Sequence, residues 1–173
     1  VKLDRLAHAV RDRLAPDFVT GHRALVFCRE RETVPAVVAH LKAQGFTCEG
    51  LWGGCGGLPQ AERTALLERF RSDDGHLPML VCTPLLGRGF DFSRLKHVIN
   101  YDMPSTPVQY VHQIGRTGRA GEQGFALTFL QDDDLWAARP LKAMLEELST
   151  THPLIEKACG RAEQARWRRV MNE

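Results

Sequence analysis

A chain of 173 residues is long enough for one domain with a sizeable core, and one domain is the expectation. A formal charge of only +2 excludes a global basic field, so any nucleic-acid affinity has to come from local clusters of Lys and Arg. Five cysteines (Cys28, Cys48, Cys55, Cys82, Cys159) without C-x-x-C spacing argue against a disulfide framework and a metal site, and no segment approaches the ~18 apolar residues of a membrane span, so a reducing, intracellular setting is expected.

Leu3, Leu6, Val10 and Leu14 recur at helical spacing, which predicts an amphipathic helix over 1–15 leading into a turn at Pro16-Asp17. Arg23 to Cys28 is a short apolar run of the kind found in a strand buried on both faces. Thr33 is placed to cap a helix through Val37, Val38 and Leu41 that stops at Gly45, and Thr47 to Trp52 reads as a second strand. The glycine-rich run 53–57 lacks G-x-G-x-x-G spacing, because Pro59 stands where the last glycine belongs. Pro59 starts a helix with a polar front, Gln60 and Arg63, and an apolar back, Leu66, Leu67 and Phe70. Met79 to Cys82 is another buried strand, ending at Thr83 ahead of a loop with Gly87, Gly89 and Asp91, and Val98 to Tyr101 supplies a further one. Pro104, Ser105 and Pro107 start a helix carrying Tyr110 and His112, and 124–130 forms the last strand. From Asp132, which can cap it, Leu135, Leu141, Met144, Leu145 and Leu148 describe a helix kinked at Pro140. Residues 149–153 break that pattern, so the domain is expected over 1–150 and a basic, loosely packed extension over 151–173. Strands alternating with helices imply an α/β fold whose parallel sheet is covered on both faces.

The densest chemistry lies in Tyr110-Val-His-Gln-Ile-Gly-Arg-Thr-Gly-Arg-Ala-Gly121. Arg116 and Arg119 are three apart and can aim two guanidiniums at one anionic group, with phosphate the obvious candidate. Gly115, Gly118 and Gly121 keep side chains away where the backbone must turn or approach a ligand. The octet from His112 to Arg119 resembles motif VI, the arginine-finger motif of DEAD-box RNA helicases. Arg23 to Cys28 resembles their motif IV, Gly87-Arg-Gly89 with Asp91 their motif V, and Gln60 with Arg63 their Q-x-x-R. Residues 20–150 are therefore similar to the second RecA-like domain of such a helicase, which implies a RecA-like three-layer sandwich with a mostly parallel central sheet.

By that resemblance Arg116 and Arg119 would be catalytic fingers on ATP, and Gly89 and Asp91 would complete the nucleotide site, Asp91 accepting a ribose hydroxyl. Gly53, Gln60, Arg63 and Thr83 would hold the RNA backbone with little base readout, while His112, Gln113 and Gly115 would couple the two sites. Trp52-Gly53 stands for the family's His-Gly pair, with three extra loop residues before Gln60; Pro84, Glu30 and Gln113 also depart from the family's usual residues. Phosphoryl transfer needs a phosphate cradle with a lysine, Mg²⁺ carboxylates, an oriented water and positive charge on the γ-phosphate. Only the last is present, since the chain has neither Gly-x-x-x-x-Gly-Lys-Ser/Thr nor Asp-Glu-Ala-Asp. The resemblance assigns the rest to a preceding N-terminal RecA-like domain, which would bind most of ATP and its Mg²⁺. This chain alone is expected to be a monomer without ATPase activity, with RNA and that domain as partners and no membrane. Two other readings stay open: a catalytically idle RNA-binding scaffold with a RecA-like fold, and a DNA helicase of a related branch.

Overall fold

The computed structural model describes residues 1–53, 56–72, 77–84, 92–118, 123–134, 137 and 140–143. They fall into two compact units, one comprising Val1–Asp102 with His112–Phe129, the other Met103–Val111 with the described residues from Leu130 onward.

The first unit holds the sheet. Strands β1 (Arg23–Phe27), β2 (Cys48–Leu51), β3 (Met79–Cys82), β4 (Leu95–Asn100) and β5 (Phe125–Thr128) lie in the order β2-β3-β1-β4-β5, and every pairing is parallel. All residues of β1 and β3 are buried, which is why these strands read as continuous apolar runs: each sends side chains into two dry layers. On one face Ala24, Val26, Met79, Val81 and Ile99 meet Leu6 of α1 (Lys2–Ala9) and Val34, Val37 and Leu41 of α3 (Thr33–Ala43). On the other, Leu25, Phe27, Leu80, Cys82 and Val98 meet Leu66, Leu67 and Phe70 of α4 (Gln60–Arg71). This is the expected RecA-like sandwich, with a sheet that is wholly rather than mostly parallel.

Several local expectations change. The first helix passes Pro16: α1 runs through one π-helical turn (Val10–Leu14), where the Ala15 N–H donates to the Val10 carbonyl, into α2 (Ala15–Val19). Proline has no N–H to give and its ring crowds the carbonyl four residues back, but both conflicts vanish in a first helical turn, and the π turn supplies that restart. The chain reverses instead at Thr20-Gly21, with Gly21 at φ 80°. Thr33 is the first residue of α3 rather than its side-chain cap; the Glu30 and Arg31 carbonyls take the Thr33 and Val34 N–H groups. Strand β4 begins at Leu95, ahead of the apolar run, because the polar His97 is buried by partners described below. Strand β3 has the expected bounds, while β1, β2 and β5 are one to two residues shorter at their ends than expected, although Cys28 and Tyr101 still donate N–H bonds to the Cys82 and Phe27 carbonyls.

Helix α5 (Pro107–Ile114) is started by Thr106 rather than Ser105. Thr106 Oγ1 accepts the Gln109 N–H at 3.1 Å and Gln109 Oε1 accepts the Ser105 N–H at 3.1 Å, a reciprocal cap legible in Thr106-Pro-Val-Gln109. After β5 a 3₁₀ turn (Asp132–Asp134) is closed by Asp134, whose carboxylate accepts the Gln131 N–H at 3.0 Å. The capping role expected of the Asp132 side chain, Leu135, and the whole of 144–173 lie outside the described residues.

Candidate nucleotide and nucleic-acid sites

Parallel strands deliver all their carboxyl ends to one rim. Thr83 follows β3 there, 7% exposed, its N–H donating to the Leu51 carbonyl at 3.3 Å while its hydroxyl makes no hydrogen bond among the described residues. Gly53 follows β2 and is exposed. Helix α4 departs from this rim, because it is the crossover out of β2; Gln60 is exposed and Arg63 half-buried, and among the described residues neither side chain is engaged by another residue. The first N–H groups of α4, the Arg63 guanidinium and the Thr83 hydroxyl are each a kind of group suited to phosphate oxygens. A cleft of about 670 Å³ between α3, β2 and α4 lies nearby, lined among others by Trp52, Leu58, Glu62 and Arg69, but none of the expected RNA-binding residues lines it.

Asp102 was not singled out by the sequence, yet it organises this rim. Its Oδ1 takes Lys2 Nζ at 2.7 Å and its Oδ2 takes the Arg29 N–H at 3.0 Å, with both charged side chains about one-fifth exposed. It ties the start of α1 to the ends of β1 and β4. An acidic residue directly after the buried run Val98 to Tyr101 was the available signal.

The glycine–arginine turn sits at the opposite, amino-terminal rim. After α5, the Arg116 and Thr117 N–H groups donate to the Gln113 and Ile114 carbonyls at 3.1 and 3.2 Å. Thr117 Oγ1 then lies 2.8 Å from the Leu95 carbonyl and 2.7 Å from that of Lys96, at the first residues of β4. Gly118 takes φ 67°, and Gly124 backs onto it so closely that a Cβ there would fall 2.3 Å from the Gly118 nitrogen. Arg116 is half-buried, its Nε donating to the His112 carbonyl at 3.3 Å in the last turn of its own helix. His112 and Gly115 are exposed, whereas Gln113 is 5% exposed, its Oε1 without a hydrogen-bond partner among the described residues. Arg119, Gly89 and Asp91 lie outside the described residues. Arg116 thus stands at one end of the sheet and Gly53, Gln60, Arg63 and Thr83 at the other.

Electrostatics anchor the amino rim. Asp17 Oδ1 pairs with Lys96 Nζ and Oδ2 with His97 Nε2, both at 2.7 Å, and Phe125 stacks on the His97 ring at 5.5 Å. The Lys96 ammonium, with a smaller contribution from His97, holds the Asp17 carboxyl below the usual carboxylate range. Burial pulls His97 down despite the opposing pull of Asp17. Burial likewise pushes the Cys82 thiol up to about 12 and Cys48 to about 11, and raises Cys28, so these are neutral core groups rather than nucleophiles. Among the described residues no group of His, Cys, Asp or Glu side chains fits a metal ion, and no helix is long and apolar enough to cross a membrane.

Residues 2–121 match the family described as helicase conserved C-terminal domain. The chain belongs to that family. This helicase C-terminal domain is 38% identical over 126 residues to ATP-dependent RNA helicase eIF4A of Scheffersomyces stipitis, covering 73% of this chain and 30% of that protein. With ATP-dependent RNA helicase CshA of Listeria monocytogenes the figures are 42% over 112 residues, 65% and 21%. Among solved structures, the RNA helicase Prp28 from Chaetomium thermophilum bound to ADP matches with TM-score 0.75 and 32% identity over 91% of this chain and 36% of that one. The E. coli DEAD-box protein SrmB, bound to the regulator RraA, matches with TM-score 0.69 and 30% identity over 83% and 78%. The domain is thus the C-terminal RecA-like type of DEAD-box RNA helicases, and it spans under a third of either curated relative. The family match begins at residue 2, so it takes in α1, with the Lys2 that clasps Asp102, ahead of the 20–150 over which the motifs show their resemblance.

Proposed function

We propose that this helicase C-terminal domain serves as the second RecA-like domain of an RNA-stimulated ATPase, working inside the cell against a preceding domain that cradles ATP. Catalysis of phosphoryl transfer is almost entirely positioning and charge stabilisation, so a domain can contribute decisively by delivering one or two guanidiniums. Arg116 and Arg119 approach the γ-phosphate, Gly89 lets backbone come close, and Asp91 accepts a ribose hydroxyl. At the other rim the Gly53 backbone, the Gln60 amide, the Arg63 guanidinium and the Thr83 hydroxyl hold RNA phosphates and sugars, with little dependence on base identity. His112 and Gln113 in the last turn of α5 and Gly115 just after it, next to Arg116, relay closure between the two rims. By resemblance, the carboxylates for Mg²⁺ belong to the preceding domain, where the ion would supply neutralisation of phosphate charge. The domain itself is read as a monomer. What carries the proposal is the division of labour: a half-buried Arg116 at one rim and uncommitted phosphate-seeking groups at the other.

The test compares this chain with the longer protein that includes the preceding domain. The chain alone should not turn over ATP with or without RNA, while the longer protein should hydrolyse it faster when RNA is added. Turnover that follows the isolated chain through purification, or a longer protein indifferent to RNA, would overturn the reading.

A further inference from the structure

The arginine turn is held by a residue that neither charge nor motif role brought forward. We propose that Thr117 is the positioning residue of this turn: its hydroxyl pins the loop to the amino end of β4 and thereby sets where the Arg116 guanidinium points. The inference rests on the reading of Arg116 as a group acting on ATP.

The geometry is specific. Thr117 Oγ1 approaches two carbonyl oxygens, those of Leu95 and Lys96, at 2.8 and 2.7 Å, distances that only a shared hydroxyl proton makes favourable. The strand end that receives it is itself anchored, because Asp17 grips the side chains of both Lys96 and His97 at 2.7 Å. On its other side the turn meets Gly124, where an added Cβ would lie 2.4 Å from Thr117 Oγ1 and 2.3 Å from the Gly118 nitrogen. The loop is therefore clamped between a hydroxyl anchor and a glycine seat. Arg116, one residue away, takes its backbone direction from that clamp. Valine matches threonine in shape but has no proton to donate, and it would press a methyl group against two carbonyl oxygens. Serine keeps the proton and loses only a methyl.

A residue needed only for folding would change thermal stability and leave turnover per folded molecule alone. A positioning residue changes kcat with little effect on KM, because displacement of about 1 Å at a reacting group costs on the order of 10²-fold in rate. In the longer protein, Thr117→Val should therefore lower RNA-stimulated kcat by roughly 10²-fold with KM for ATP within about threefold, and Thr117→Ser should stay within about threefold of wild type. Arg116→Ala is measured alongside. If Arg116→Ala abolishes turnover while folded Thr117→Val keeps it, the clamp is wrong and the arginine reading survives. If Arg116→Ala also keeps it, the arginine reading fails and takes this inference with it. Should Thr117→Val not fold, Thr117→Ala removes the proton without the crowding methyl and carries the same comparison. Hydrogen exchange on this chain reads the clamp without ATP: losing the hydroxyl should speed exchange at the Arg116 and Thr117 amides and leave β1, β3 and β4 protected. Unchanged exchange at those two amides would also overturn the proposal.

Discussion

Asp17→Ala should destabilise the domain by about 2–3 kcal/mol, and the pH dependence of that loss tests the reasoning more sharply than its size. The carboxylate reaches Lys96 and His97 at 2.7 Å each, with side-chain exposures of 23% for Asp17, 24% for Lys96 and 5% for His97. The Lys96 arm is partly solvated and contributes about 0.5 kcal/mol, in the range of surface pairs. The His97 arm matters more, because truncation leaves a buried ring nitrogen without its partner, at a cost of about 1–3 kcal/mol. Alanine is the best helix former, so α2 loses nothing in propensity. At roughly 2–4 °C per kcal/mol for a chain of this length, the melting point should fall by about 5–10 °C near neutral pH. His97 is lowered in the fold, so its contribution is complete above the unfolded value of about 6.5 and is lost as pH falls below it. Asp17 is also lowered, so its contribution is present above an unfolded value of about 3.9 and is lost as pH falls through the folded value. Without Asp17, burial acts on His97 unopposed, and protonation becomes still less favourable. Thermal unfolding followed by circular dichroism should therefore show a gap between wild type and variant that widens from about pH 7.5 to about pH 5, then narrows below about pH 4 as Asp17 itself titrates. A variant melting within about 2 °C of wild type, or a gap that shrinks between pH 7.5 and 5, would refute the argument.

Two other outcomes follow from the structure. Replacing Arg63 by alanine should weaken binding of unrelated single-stranded RNAs about equally and reduce the log–log salt slope by about 0.7, the value for one phosphate contact; loss confined to one RNA sequence would show base readout instead. Cys28, Cys48 and Cys82 should resist a thiol-labelling reagent at pH 8 until denaturant unfolds the chain, because burial keeps each thiol protonated. Peptide mapping that finds Cys82 labelled in the native state would contradict this.

The layers of the fold were readable because their cause is local. A strand buried on both faces has to be apolar throughout, as Leu25 to Phe27 and Met79 to Cys82 are, and a helix covering one face has to repeat its apolar residues, as Leu66, Leu67 and Phe70 do. Where burial depends on a partner far along the chain, single-segment reading fails. His97 looks like a surface residue until Asp17, eighty positions earlier, is known to hold it, and Asp102 looks like a turn residue until Lys2 and Arg29 arrive. Pro16 reads as a stop because the π turn that accommodates it has no sequence signature of its own. For the site, residue types and spacing in the octet from His112 to Arg119 pointed to phosphate chemistry. They did not reveal that Arg116 and Thr83 stand at opposite rims, which is a property of the crossovers between strands.

The action proposed for Arg116, on the phosphoryl group from across a domain cleft, is tested most directly by the RNA-stimulated kcat of Arg116→Ala in the longer protein. Removing a guanidinium that neutralises charge on the transferring phosphoryl oxygens should lower kcat by on the order of 10³-fold or more with the protein still folded, and lysine should rescue poorly because a point charge does not reproduce the planar fork. A folded Arg116→Ala protein with kcat within about threefold of wild type would contradict the account, since a surface arginine is all that such a result describes.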